Sequence, residues 1–310
     1  MSMTKIERVR AALSGAEVDR PPFTVWYHFG LQHAPAERTA QAHLEFFETY
    51  GLDWLKVMND YSYPMPRGFE TLADARDLKR LTAFDVRQGP LGEQLEAVRL
   101  IGLELRGKAL VVDTVFNAWN TLRRNVVKEA MGPLMEEHAE ELEAALAVVN
   151  DNLIRYANAS LYTGAAGIFY SVPATPESVT PEQYERFMRP FDLAFLEAIR
   201  PFGECHILHA HGSELYLDRL LDYPVHAISW ADRQSGPPLT LMRGLTPRAL
   251  VGGIDHVNFP YTSAARIREQ VRSAVVEAGA RKLLVAPGCA IPTYSFPELI
   301  RAARAELGKD

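Results

Sequence analysis

Short, nearly continuous apolar runs alternate along this chain with longer stretches in which apolar residues recur every three to four positions. The short runs are residues 23–27, 54–58, 109–115, 167–171, 206–209, 225–230, 250–254 and 283–286. Runs of this length, apolar throughout and bounded by polar or turn residues, read as parallel strands buried on both faces. The longer stretches read as helices over 35–50, 133–162, 181–199, 262–278 and 296–307. Leu142, Ala145, Leu146 and Val149 lie on one helical stripe. Thr180 is placed to cap the helix that starts at Pro181, with Glu182 in its first turn. Ser295, with Glu298 three residues on, has the spacing of a capping box for the last helix.

Eight strand–helix units in 310 residues predict an α/β protein built as a TIM (β/α)8 barrel in one domain spanning 1–310, a fold that needs ~250 residues. A doubly wound sheet would carry a glycine-rich turn after its first strand. Here that strand runs into His28-Phe29-Gly30-Leu31-Gln32-His33, and no phosphate-binding loop follows any other. Residues 61–108 are too long for a simple crossover. They are expected to form a helical insert after the second strand, either a cap or lid beside the barrel mouth or a long helical connection.

Composition narrows the class of function. The net charge of -6 shows no basic stripe, so nucleic acid is not an expected partner. No apolar run approaches the ~20 residues of a membrane span, and residues 1–20 lack the apolar centre of a signal peptide. Two cysteines cannot build a disulfide framework, so a reducing, cytoplasmic location is expected; the expected partner is a small-molecule substrate.

In a barrel of this kind the chemistry stands at the C-terminal ends of the strands. There the chain places His28, then Asn59-Asp60-Tyr61, Asn117 and Trp119, Tyr170, His209-Ala210-His211-Gly212, Asp232 and Arg233, Asp255-His256, and Pro287-Gly288-Cys289. Residues two apart on a strand share a face, so His209 and His211 point the same way. Cys289, after Pro-Gly on the last strand, projects over the same mouth. Three N/S ligands with an open fourth position are the donor set of a catalytic zinc. His28, Tyr170, Asp232 and Asp255 are candidates for substrate contact. Cys205, His206 and His226 are expected to be structural.

The segments "TKIERVRAALSGAEVDRPP", "HAHGSELYLDRLLDYPVHAISW", "LVGGIDHVNF" and "LLVAPGCAIPTYSFPELIRAA" resemble the uroporphyrinogen decarboxylase superfamily. Within it they are most similar to the zinc-dependent methyltransferases that move methyl groups between corrinoid proteins and thiols. That resemblance implies a TIM barrel, one catalytic Zn²⁺, a thiol-type acceptor, and a corrinoid carried by a separate partner protein. It assigns His209 and Cys289 to two of the branch's ligand positions. His211 falls where the branch usually has cysteine, which would leave the metal site near +1 and the ion a stronger Lewis acid. The superfamily's decarboxylases carry an essential aspartate, matched here by Asp60 in "VMNDYSYP", and an arginine-rich stretch, replaced here by "WYHFGLQH". Asp60 is thus the expected catalytic side chain, orienting substrate or moving a proton. A metal-free decarboxylase using Asp60 is the alternative, and a barrel that binds a ligand without turnover is a third possibility.

Overall fold

The computed structural model describes residues 2–308; residues 1, 309 and 310, the ends of the stretch expected to form one domain, lie outside them. The elements run α1 (Lys5–Ser14), α2 (Ala36–Tyr50), β1 (Trp54–Val57), α3 (Gly89–Glu104), β2 (Leu110–Phe116), α4 (Ala118–Thr121), α5 (Met131–Glu137), α6 (Ala139–Thr163) and β3 (Gly167–Val172). They continue with α7 (Pro181–Phe187), α8 (Arg189–Ile199), β4 (Ile207–Ala210), β5 (Ala227–Ser229), α9 (Leu239–Leu245), β6 (Ala249–Ile254), α10 (Ala264–Ala278), β7 (Leu283–Pro287) and α11 (Pro297–Glu306). Strands β1 to β7 are parallel and ordered as in the sequence. The result is a curled α/β sheet with helices around it, a TIM-like barrel.

The stretch expected as the first strand, 23–27, is reduced to an isolated bridge between Phe23 and Val285, yet it closes the ring. The Val285 N–H donates to the Pro22 carbonyl, Thr24 N–H donates to the Val285 carbonyl, and Asp53 N–H donates to the Phe23 carbonyl. Pro21 and Pro22 have no N–H to offer a ladder. Side chains supply the missing links toward β1: the Asp53 carboxylate accepts Phe23 N–H at 2.8 Å and the Thr24 hydroxyl donates to the Trp54 carbonyl at 2.9 Å.

Period-two alternation splits the apolar residues into two cores. Trp54, Leu110, Val112, Phe169, Ile207, Ala227, Ala249, Val251, Leu284 and Ala286 fill the barrel interior together with Cys205. Their strand neighbours Leu55, Val111, Ile168, Leu208, Ile228, Leu250 and Val285 face the helix ring. Val9 and Ala12 of α1 join the interior cluster, so α1 plugs the floor of the barrel. Its start is fixed by a capping box in which Thr4 accepts from the Glu7 N–H and Glu7 accepts from the Thr4 N–H.

Several expected boundaries shift for local reasons. The helix expected over 133–162 turns at His138 (φ -137°, ψ 45°) into α5 and α6. The one expected over 181–199 breaks at Met188 because Pro190, in the first turn of α8, cannot continue α7. Thr180 caps α7 in a capping box with Gln183. Ser295 does not cap α11: Phe296 takes that position, and the Ser295 N–H is held in a turn by the Pro292 carbonyl. Within 61–108, residues 61–88 contain one short 3-10 turn, Asp77–Arg80, and are pinned where Leu72 N–H and the Thr71 hydroxyl donate to the Val126 carbonyl. Residues 89–104 are α3, which packs on α2, α6 and β2 as the ring helix between β1 and β2.

Candidate metal centre

The inward positions change character near the C-terminal ends of the strands. There Trp26, His28, Lys56, Thr114, Phe116, Phe169, Ser171, His209, His211 and Cys289 line a cavity of about 840 Å³ open at the barrel mouth. His209 and His211 reach it from the end of β4, and Cys289 from the turn after β7. One donor atom from each of His209, His211 and Cys289 lies within 4.8 Å of the other two, and Cys289 Sγ is 3.9 Å from His211 Nδ1. Their burial is graded: His209 is buried, Cys289 half-buried and His211 exposed, so the group faces outward along one side.

The electrostatics suit a cation. Burial, with the neighbouring His211, holds the His209 imidazole well below its usual range and therefore neutral. Burial also lowers His211, assisted by the positive charge of Arg124. Burial raises the Cys289 thiol, against the opposing pull of the Ala290 N–H and of Lys56. Neutral imidazoles and a thiol that ionises only beside a cation form a ligand set that releases a proton as it binds metal. His209 Nδ1 is 3.2 Å from the Ser229 hydroxyl on the adjacent strand, which fixes the ring and leaves Nε2 toward the cavity. Two imidazoles and one thiol, converging with an open side, match zinc in number and softness. His256, whose buried Nδ1 has no hydrogen-bond partner among the described residues, lies near enough to depress His209 and to be depressed by His211.

Asp60 stands behind His28, with Oδ1 2.5 Å from His28 Nδ1. Its burial opposes ionisation, but the His28 hydrogen bond and charge, with Lys56 and His43, hold its carboxyl below the usual range. His28 lines the cavity, so Asp60 acts on it through that imidazole.

Three expected substrate contacts lie elsewhere. Tyr170 is an outward residue of β3; it stacks on Phe195 and donates to Asp192 at 2.8 Å beneath the helix ring. Asp232 is buried and accepts the Gly253 N–H at 2.9 Å, bracing β5 against β6. Asp255 closes its own turn, accepting from the Val257 and Asn258 backbones and the Asn258 side chain.

The sequence pattern also held site residues that were not singled out. Lys56 occupies an inward position between Trp54 and Met58. It is 3% exposed, lies over the Trp26 and Phe169 rings at 5.3 and 4.6 Å, and among the described residues donates only to the Met58 thioether. Burial lowers its amine to about 7, with Cys289, Asp60 and Asp113 pulling the other way. A lysine inside an apolar strand at an even register was the available signal. Arg123, Arg124 and Lys128, from the stretch "RRNVVK" after β2, line the same cavity. That stretch forms one turn of π-helix, Leu122–Val127, and leaves Lys128 at φ 51°, a conformation that costs free energy for a side chain with a Cβ.

The profile of the uroporphyrinogen decarboxylase (URO-D) family matches residues 58–306. No curated protein sequence matches the chain. Among solved structures, a methyltransferase from Methanosarcina mazei superposes with a TM-score of 0.82 at 19% identity, over 98% of both chains. A B12-independent methionine synthase from Shewanella sp. W3-18-1, in complex with selenomethionine, superposes with a TM-score of 0.59 at 14% identity, over 93% of this chain and 91% of that one. A putative vitamin-B12 independent methionine synthase from Listeria monocytogenes reaches 0.52 at 12% identity, over 87% and 84%. At such identities the likeness is one of fold.

Proposed function

The chain belongs to the uroporphyrinogen decarboxylase family, an enzymatic superfamily, and from that premise we propose that it is a zinc-dependent methyltransferase. It would pass a methyl group between a corrinoid protein or small methyl donor and a thiol-type acceptor. The carrying observation is the convergence of His209, His211 and Cys289 at the cavity wall. A methyltransferase and a methionine synthase among the structural relatives share the fold on which this reading is built.

In this reading His209, His211 and Cys289 hold one Zn²⁺. Bound there, the ion supplies a Lewis acid that lowers the pKa of an acceptor thiol, giving a thiolate at neutral pH. The remaining steps belong to side chains. Ser229 keeps His209 oriented. The aromatic faces of Trp26 and Phe169 exclude water from the floor. His28, polarised by Asp60, takes up or returns a proton at the rim. In this reading a corrinoid donor would arrive on a separate protein docked over the mouth.

Metal analysis of the purified protein tests this. About one zinc per chain is expected in the wild type, with loss in His209→Ala and in Cys289→Ser. Stoichiometric zinc that survives both substitutions overturns the ligand assignment. A metal-free decarboxylase is the second reading, favoured by the ionised Asp60; lack of decarboxylation of uroporphyrinogen at high enzyme concentration removes it.

A further inference from the structure

Lys56 is a cation without the contacts that usually hold one. It sits inward on β1, buried, on the wall of the cavity. An ammonium carries three N–H donors. Among the described residues this one has a single acceptor, the Met58 sulfur at 2.8 Å, and no carboxylate in an ion pair with it. The faces of Trp26 and Phe169 lie 5.3 and 4.6 Å from Nζ. Aromatic faces attract positive charge without supplying an oxygen acceptor.

Titratable groups act on Lys56 from several elements. They are Asp60 beyond β1, Asp113 on β2, His43 on α2, His209 on β4 and Cys289 after β7. Cys289, Asp60 and Asp113 favour the ammonium, but burial outweighs them and lowers the amine to about 7. At neutral pH a large share of Lys56 therefore carries a free lone pair on Nζ, the state in which a lysine attacks carbonyl carbon.

Another nitrogen species matches these surroundings better than an ammonium does. A protonated imine, made from a primary amine and an aldehyde or ketone, keeps the positive charge and only one N–H. The Met58 sulfur answers the one donor and the two ring faces answer the charge. The cavity of about 840 Å³ has room for the rest of a carbonyl compound.

We propose that Lys56 is a covalent capture site that takes an aldehyde or ketone into the cavity as a protonated imine, held between Trp26, Phe169 and Met58. The Nζ lone pair forms the bond to the carbonyl carbon, and the carbonyl π pair moves to oxygen. One proton passes from nitrogen to that oxygen, giving a carbinolamine. A second proton reaches the oxygen, the C–O bond breaks and water leaves, while the nitrogen lone pair closes the C=N bond. His28, hydrogen-bonded to Asp60 and lining the same cavity, is placed to supply that second proton. Nothing is oxidised or reduced. The activity is separate from methyl transfer and does not rest on that reading.

Reductive trapping on the folded chain tests the site. The probe is propanal with sodium cyanoborohydride at pH 7, followed by peptide mass mapping, with exposed Lys79 as internal reference. Lys56 is expected to gain a propyl group at least about tenfold faster than Lys79, because ordinary lysines, near about 10.4, are almost wholly protonated at that pH. At pH 9 the gap should narrow, since an amine titrating near 7 is already neutral there while ordinary lysines continue to lose protons. Prior denaturation should abolish the difference. Lys56→Met should lose the fast adduct and keep the slow ones. If that variant does not fold, the wild-type map carries the test, because it reads Lys56 directly. Trapping at Lys56 no faster than at Lys79, a modification that does not require the hydride, or an advantage that survives denaturation overturns the proposal. Zinc content is read in a separate measurement, so failure here leaves the metal reading standing.

Discussion

The floor and the mouth of the barrel treat charge in opposite ways. At the floor, buried Asp53 accepts from Arg8 at 2.7 Å, from Arg20 at 2.6 and 2.9 Å, and from Phe23 N–H at 2.8 Å. Arg8 also grips Asp19 through two 2.8 Å bonds. Every carboxylate oxygen there has a donor, and the network ties α1 and the closing stave to β1. At the mouth, Lys56, Arg123, Arg124 and Lys128 face a cavity with no carboxylate paired to them among the described residues. Matched buried charge ties the elements of the floor together; the cations at the mouth make no such internal pairs among the described residues.

If that division is correct, substitutions at the two ends should have opposite consequences. The largest effect on folding is expected from Asp53→Ala, which removes the buried carboxylate that Arg8 and Arg20 share. It should cost on the order of 3–5 kcal/mol in chemical denaturation. A cost below about 1 kcal/mol would mean that the floor network is ornamental.

Lys56→Met should move the other way. It removes an ammonium buried without a strong acceptor and keeps a side chain of similar length, so the protein should become more stable by about 1 kcal/mol. A clear loss of stability would show that the Trp26 and Phe169 contacts outweigh the burial cost.

Asp19→Asn should cost about 1–2 kcal/mol at neutral pH. The Arg8 hydrogen bonds hold the Asp19 carboxyl well below its usual range despite partial burial. A depressed folded-state pKa gives stability that is present above the unfolded value, near 4, and is lost as the pH falls through the folded one. Acid denaturation curves of the wild type and the Asp19→Asn variant should therefore converge at low pH; parallel curves would contradict this origin.

Ser229→Ala should leave stability nearly unchanged and, if His209 holds zinc as proposed, weaken that binding about tenfold by freeing the His209 ring. The smallest effect is expected from Arg124→Ala, within about 0.5 kcal/mol in denaturation, because Arg124 is exposed and lies over the Phe116 ring without an ion pair among the described residues.

Much of this was legible beforehand where the signal was local. Each of the apolar runs from 54–58 to 283–286 overlaps a strand, and the resemblance in "HAHGSELYLDRLLDYPVHAISW" and "LLVAPGCAIPTYSFPELIRAA" pointed to a barrel of the family whose profile matches 58–306. Period-two geometry placed His209 and His211 on one face, and the structure brings Cys289 beside them. The same rule, applied to all inward positions, would have exposed Lys56. It would also have excluded Tyr170, which stands at an outward position beside Phe169. Asp232 and Asp255 stood at strand ends, as site residues do, but each has an oxygen that accepts from a nearby backbone N–H, and Arg233 lies 3.2 Å from the other oxygen of Asp232. Residues 61–108 illustrate the boundary problem: length alone did not distinguish an insert from a long loop followed by the ring helix α3.

By itself, then, the sequence determined the elements, their parallel order and the side-chain types at the strand ends, because these follow from periodicity and turn chemistry within a few residues. Tertiary structure alone decided which charges find partners: Arg8 meets Asp53 across 45 positions, while Arg124 faces a cavity formed with residues as distant as Cys289. Hydrogen bonding and desolvation depend on separation in space. A linear chain does not specify that until the barrel has closed.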